Sequence, residues 1–252
     1  MTITELQQRY AAHPNTAVME RLLKDVSVQT IFCGGLCASS ASLFSSVLVK
    51  QDVCPFVFVL GDLEEAGYFY HDLTQILGTE KVLFFPSSFR RSIKYGQKDA
   101  ANEILRTEVL SRLQKGEEGL CIVTYPDALA EKVVSRKELS DKTLKLNVGE
   151  KLDTTFITDV LHSYGFEDEV ESIRTFEVES QLSREKKAGV AIVPDLAVTG
   201  EVTTSFLDFI PKETILAMRD FLWLRERIQV VHDEALTPQA IAVQEAEENG
   251  GI

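Results

Sequence analysis

Residues 55–78 read PFVFVLGDLEEAGYFYHDLTQILG, and the fold turns on how that stretch is parsed. Phe56–Leu60 is apolar at every position and built from the aromatic and β-branched residues that strands favour. A strand without a polar face is one covered on both faces, which is the situation of a parallel sheet. Gly61-Asp62 then breaks the run, and Asp62 stands where a helix N-cap belongs. Glu64 and Glu65 fall in the first turn of the helix that follows, where the dipole favours acid. The helix is expected over Leu63–Leu77 and stops at Gly78.

The same strand-then-helix unit recurs outward from this stretch. Downstream, Lys81–Phe85 is a strand closed by Pro86, Asp99–Gln114 a helix ending near Gly116, and Leu120–Tyr125 a strand before Pro126 opens a short helix. Upstream, Val28–Cys33 reads as a strand, Gly34-Gly35 as a turn and 39–50 as a helix, after two short helices broken at His13-Pro14-Asn15. The class is therefore α/β with a parallel sheet. The pattern changes after Glu131. Thr143–Val148 and Glu169–Gln181 alternate, and the amphipathic helix Asp153–Tyr164 lies between them, which describes a small α+β unit. Strand-like runs return at Val190–Val193 and Thr214–Met218, Phe206–Ile210 leads into Pro211, and a helix follows over Phe221–Ala235. The reading is of N-terminal helices (1–26) and a larger α/β domain made of 27–132 and 188–238. A small domain (133–187) is inserted into it, and the sheet is completed by Val190–Met218. The Glu-rich tail, 239–252, is expected to fray or to mark a boundary within a longer protein.

Composition bounds the function. Of 252 residues, 44% are hydrophobic and 26% charged, a globular balance that argues against a largely disordered chain. Lys and Arg number 26 against 39 Asp and Glu, giving a net charge of −13 whose mean field repels a polyanion. No apolar run is long enough to span a bilayer and no signal-peptide pattern opens the chain, so a cytoplasmic location is expected. Cys33, Cys54 and Cys121 fall in or beside strand-like runs and read as buried thiols. Cys33 and Cys37 have no second Cys/His pair nearby, and the four His are scattered, so neither zinc nor any other metal is expected.

The turn between the first strand and its helix is where P-loop proteins cradle phosphate. Laid on the template GxxxxGK[ST], Gly35 fits the first glycine and Ser42 the hydroxyl, but Ser40 replaces the second glycine and Ala41 the lysine. Losing the cation removes the charge that phosphoryl transfer depends on. The turn reads as a close-packed strand-to-helix connection, with weak anion binding by the amides of Ser39–Ser42 as the alternative. The acidic partner is degenerate too. After Thr214–Met218 comes Arg219-Asp220-Phe221, where a lone Asp220 is better placed as an N-cap than as a magnesium ligand. No catalytic residue is assigned, and no Ser-His-Asp or Cys-His arrangement emerges; His162 ends a helix without a nucleophile beside it. The basic and aromatic run around Arg90, Arg91 and Lys94 reads as a solvated loop, with weak nucleic-acid contact as its alternative. Trp223 reads as a core residue.

Several motifs, taken in order, resemble a family. A degenerate P-loop turn is followed by "VFVLGDLEEAGYFYHDL", "VLFFPSSF", "DAANEILRTEVLSRL" and "CIVTYPDALAEKV", then by "LKLNVGEKLD", "LHSYGFE" and "DEVESIRTFEVESQLS". Together, from about Ser27 to Arg227, they resemble the N-terminal region of the bacterial transcription-repair coupling factors, the Mfd family, which is itself similar to the excision nuclease subunit UvrB. The resemblance implies a helicase-type, degenerate P-loop α/β domain with a small inserted domain. It implies no cofactor here, since ATP and magnesium belong to motor domains elsewhere in the full-length protein. It implies recruitment of the damage-recognition ATPase UvrA through the inserted domain, in nucleotide excision repair at stalled RNA polymerase. RNA polymerase and DNA are met only by regions outside this chain, and contact with other domains of the full-length protein implies an autoinhibitory role. The chain departs from the family between Glu167 and Asp168, where a segment resembling "VRGGIIDVF" and "YPYRIEFFG" is expected and absent. An engineered deletion, residues left out of the numbering and a natural variant all fit this gap. The missing segment carries the family's UvrA-contacting residues, so what remains for partner binding is Asp168, Glu169 and Arg174 in a strongly acidic stretch. The rival reading is a P-loop or dinucleotide enzyme using Gly34-Gly35 and Asp62.

Overall fold

The computed structural model describes residues 2–51, 54–89, 99–141, 144–146, 190–192 and 203–236. The chain divides into two compact units, one made of Met1–Glu131 and Phe209–Ile252, the other of Lys132–Asp208.

The first unit is built on four parallel strands, β1 (Phe56–Val59), β2 (Val82–Phe84), β3 (Cys121–Thr124) and β8 (Ile215–Met218), in the order β2-β3-β1-β8. The all-apolar runs of β1 and β3 are buried at every position, as their lack of a polar face requires. Among the described residues β8 is paired on one side only, and it is half-buried, with Leu216 40% exposed. Around the sheet lie α1 (Ile3–Ala11), α2 (Pro14–Lys24), α3 (Ser40–Lys50), α4 (Leu63–Leu77), α5 (Ala100–Gln114), α6 (Pro126–Ala130) and α8 (Phe221–Val231). Their starts follow local chemistry. The Asp62 side chain accepts from the Glu65 N–H at 2.9 Å, Asp99 from Ala101 at 3.0 Å, and Asp220 from Leu222 and Trp223 at 2.8 and 3.1 Å. α4 ends where Gly78 takes φ +88, a conformation that a Cβ would strain. Among the described residues, no helix is long and apolar enough to cross a membrane.

Three expectations are corrected. Val28–Cys33 forms no strand. It runs without regular structure, and Phe32 is 91% exposed. Val190–Ile192 does not extend the central sheet. As β6 it pairs antiparallel with β5 (Leu144–Leu146) in the second unit. That unit also contains β4 (Val133–Val134), α7 (Arg136–Asp141) and β7 (Thr203–Thr204), with β4 and β7 antiparallel. Short apolar runs carry no information about which sheet recruits them, because pairing partners are chosen by tertiary context. Finally, Cys33 and Cys37 are exposed and Cys54 is half-buried. Only Cys121 is fully buried, and burial pushes its thiol up to about 12. The helix Asp153–Tyr164 and the strand Glu169–Gln181 lie outside the described residues.

Candidate functional site

The turn that the sequence aligns with a phosphate loop is folded onto itself. Gly35 has φ +84 and Ala38 φ +47. These left-handed turns bend the chain so that the Ser40 hydroxyl donates to the Cys37 carbonyl at 2.6 Å and accepts from the Cys37 N–H at 2.7 Å. The Ser40 and Ala41 amides donate to the carbonyls of Cys37 and Ala38 at 3.1 and 3.2 Å. Two of the four amides from Ser39 to Ser42 are thus spent inside the turn.

Ser42 is committed as well. Its side chain is buried, 2.7 Å from an Asp72 carboxylate oxygen and 3.0 Å from the Ser39 carbonyl. A hydroxyl has one proton to give, and here it points between a carboxylate and a carbonyl of the protein itself. Asp72 comes from α4, one helix along, and no local pattern in the sequence announces this contact. The cavity beside these groups measures 160 Å³ and is lined by Ile3, Leu6, Ser39, Ser42, Asp72 and Ile76, among others. It falls short of the roughly 300–1,000 Å³ that small-molecule sites occupy. The structure therefore brings Gly35, Ser39, Ser40, Ala41 and Ser42 into one turn, and gives the hydroxyls of Ser40 and Ser42 and the amides of Ser40 and Ala41 to neighbours within the fold.

Asp220 caps α8 through Oδ1. Beside it, Arg219 is exposed and lies 3.2 Å from Glu65, whose other oxygen accepts the Gly61 N–H at 3.1 Å. Trp223 is not a core residue. It is 43% exposed, next to the exposed Phe221 and Leu222, while the helix packs on α6 and buries Leu224 and Val231 instead.

The densest polar cluster among the described residues lies after β2, and the sequence reading missed it. The Glu131 carboxylate accepts from the Ser87 hydroxyl, from the Ser88 hydroxyl at 2.7 Å and from the Ser88 N–H at 3.1 Å. Arg106 on α5 lies 3.4 Å away, donates to the Pro86 carbonyl at 2.7 Å, and stacks 4.3 Å from the centre of the Phe85 ring. All of these groups are buried. Burial pulls the Arg106 guanidinium below its usual range, and the Glu131 charge works the other way. Asn102 donates to the Ser87 carbonyl, and the Tyr125 hydroxyl accepts the Ser87 N–H, both at 2.9 Å. A lone Arg between Leu105 and Val109 in an otherwise apolar helix face was the only available signal. The cluster fixes the exit of β2 in one conformation. It offers no exposed nucleophile, because both serine hydroxyls are bound to one carboxylate.

Burial pushes the Tyr125 phenol up to about 12, against a smaller lowering by the Ser87 N–H. An unfolded tyrosine titrates near 10. The folded state thus holds its proton while the unfolded state loses it, so the contribution is complete below about pH 10 and fades as pH rises through about 12. We expect the urea midpoint to fall between pH 9 and pH 11, and to fall less steeply in Tyr125→Phe.

Arg90, Arg91 and Lys94, and likewise Asp168, Glu169 and Arg174, lie outside the described residues. Among the described residues, no three His, Cys, Asp or Glu side chains converge as a metal site would require. Comparison with known proteins matches the chain to no family model and to no curated protein.

Proposed function

We propose that the chain is a non-catalytic interaction module, akin to the UvrB-like N-terminal region of transcription-repair coupling factors. In this reading the α/β unit is a helicase-type scaffold and Lys132–Asp208 includes the inserted domain. That domain docks UvrA in the cytoplasm, and an autoinhibitory contact with other parts of a longer protein is a second use of the same surface. The ordered motifs support the family. The observation that carries the non-catalytic half is Ser42: its hydroxyl is bound to Asp72, and Ala41 stands where a cation should be. Phosphoryl transfer works by holding metal and charge on the transferred group, and this turn keeps neither free.

Isothermal titration tests this directly. Mg-ATP and NAD are each expected to give no saturable heat. A saturating isotherm with either would instead favour a nucleotide-dependent enzyme. The partner is tested separately by pull-down with purified UvrA. Because the segment between Glu167 and Asp168 is missing, retention is expected to be weaker than for an intact coupling-factor N-terminal region. Equal retention would show that the recruiting surface lies elsewhere.

A further inference from the structure

The turn before α3 presents two thiols to solvent. Cys33 and Cys37 flank Gly34-Gly35-Leu36 and are both exposed, whereas Cys54 is half-buried and Cys121 buried. The chain bends midway between them, at Gly35, where φ is +84. A straight strand would hold two such cysteines about 13 Å apart, well beyond the roughly 7 Å between Cα atoms that a disulfide tolerates. A bend at the midpoint turns the two arms toward each other instead.

The arms differ in how they are held. Cys37 is fixed to the first residue of α3. Its N–H donates to the Ser40 hydroxyl at 2.7 Å, and its carbonyl accepts from that hydroxyl at 2.6 Å and from the Ser40 amide at 3.1 Å. On the other arm, among the described residues, no hydrogen bond holds the backbone of Cys33, Gly34, Gly35 or Leu36. Closing a ring there breaks no backbone hydrogen bond, and the glycines supply the freedom that S–S geometry demands.

We propose that Cys33 and Cys37 are a redox-sensitive pair that closes into a reversible disulfide when a small-molecule disulfide such as oxidised glutathione accumulates. The step is thiol–disulfide exchange. One thiolate attacks the oxidant, forming a mixed disulfide and releasing one glutathione thiolate. The second cysteine attacks the protein sulfur of that mixed disulfide, forming the Cys33–Cys37 bond and releasing the other glutathione. Two electrons pass from the pair to the oxidant, and the two thiol protons go to the two glutathiones. Partial screening from water pushes the Cys33 thiol up, so the pair responds slowly at neutral pH and follows the disulfide pool rather than trapping peroxide. A ring of five residues removes little entropy from the unfolded chain, so the bond opens readily, as redox-sensing disulfides in reducing compartments do. Closure ties the free arm to the residue that holds Ser40, which makes residues 33–37 a clasp at the start of α3. The clasp does not depend on the functional reading above.

The test uses the full chain with excess oxidised glutathione. Trypsin leaves both cysteines in one peptide, residues 25–50, and Cys54 and Cys121 in others. That peptide is expected to come out two hydrogens lighter and closed to alkylation, from protein that runs as a monomer. Reduced glutathione is expected to restore it. In Cys33→Ser the glutathione adduct on Cys37 is expected to live at least about tenfold longer than in the unmodified chain, where a tethered thiol meets it at high effective concentration. Amide exchange at residues 33–37 is expected to slow about tenfold on oxidation. No oxidation, lasting glutathione on both cysteines, a link to Cys54 or a link between molecules overturns the pairing, and unchanged exchange overturns the clasp.

Discussion

Glu131→Ala is expected to destabilise the protein by about 3–5 kcal/mol, the cost of leaving one partner of a buried ion pair uncompensated. Arg106 would keep its charge in a buried site after losing Glu131, the carboxylate that acts on it most strongly, with Glu103 left as the weaker one. The Ser87 and Ser88 hydroxyls and the Ser88 amide would lose their shared acceptor at the same moment. Set against a typical total of roughly 5–15 kcal/mol, that loss brings the domain close to unfolding at room temperature. Urea denaturation followed by circular dichroism measures it. The paired change of Glu131→Leu with Arg106→Met is expected to recover part of the loss, because removing both charges leaves none stranded. If Glu131→Ala shifts the midpoint no more than a surface substitution does, the cluster is not a determinant of the fold.

Phe85→Ala is the second large effect, expected at about 3–5 kcal/mol for a fully buried aromatic. Two features add to the ordinary cavity cost. The ring underlies the Arg106 guanidinium at 4.3 Å, and a cation over an aromatic face in a desolvated site is worth up to about 2 kcal/mol. The Phe85 backbone also extends β2, donating to the Val123 carbonyl at 2.9 Å and accepting from the Thr124 hydroxyl at 2.8 Å. Any shift that fills the cavity must therefore move the sheet. Phe85→Leu keeps most of the volume and is expected to cost clearly less. Because Phe85 and Glu131 meet at one guanidinium, the double variant is expected to lose less than the sum of the two single losses. Additive losses would place them in separate parts of the core.

The parts of the fold legible in the sequence were those set by local chemistry. β1, β2, β3 and β8 each coincide with a run that reads as apolar, and Asp62, Asp99, Asp220, Pro14 and Pro126 mark helix starts by capping or by a preset φ. What could not be read was where such runs go. Val28–Cys33, Val190–Ile192 and Val57–Val59 look alike as strings. Yet one is unpaired, one joins a two-stranded antiparallel sheet, and one sits at the centre of the parallel sheet. The candidate site divides in the same way. The loss of the lysine at Ala41 is a property of one position and is visible in the sequence. The capture of Ser42 by Asp72, 30 residues away, and of Ser87 and Ser88 by Glu131, more than 40 residues away, are distant pairings that no periodicity encodes. Trp223 differs from its reading for a related reason: its apolar neighbours suggest a core, but the helix buries Leu224 and Val231 and leaves Phe221, Leu222 and Trp223 exposed.

The place of β8 in the sheet also sets a timetable for biosynthesis. Its partner β1 leaves the ribosome about 160 residues earlier, which at about 5–20 residues per second is on the order of 8–30 s. Until Cys121–Thr124 is made Phe56–Val59 has no sheet neighbour, and from then until β8 follows it has one on one side only, exposed to whatever aggregating strand or chaperone reaches it first. A nascent chain stalled before residue 215 should therefore be captured by hydrophobic-segment chaperones, and one stalled well beyond residue 231 should not.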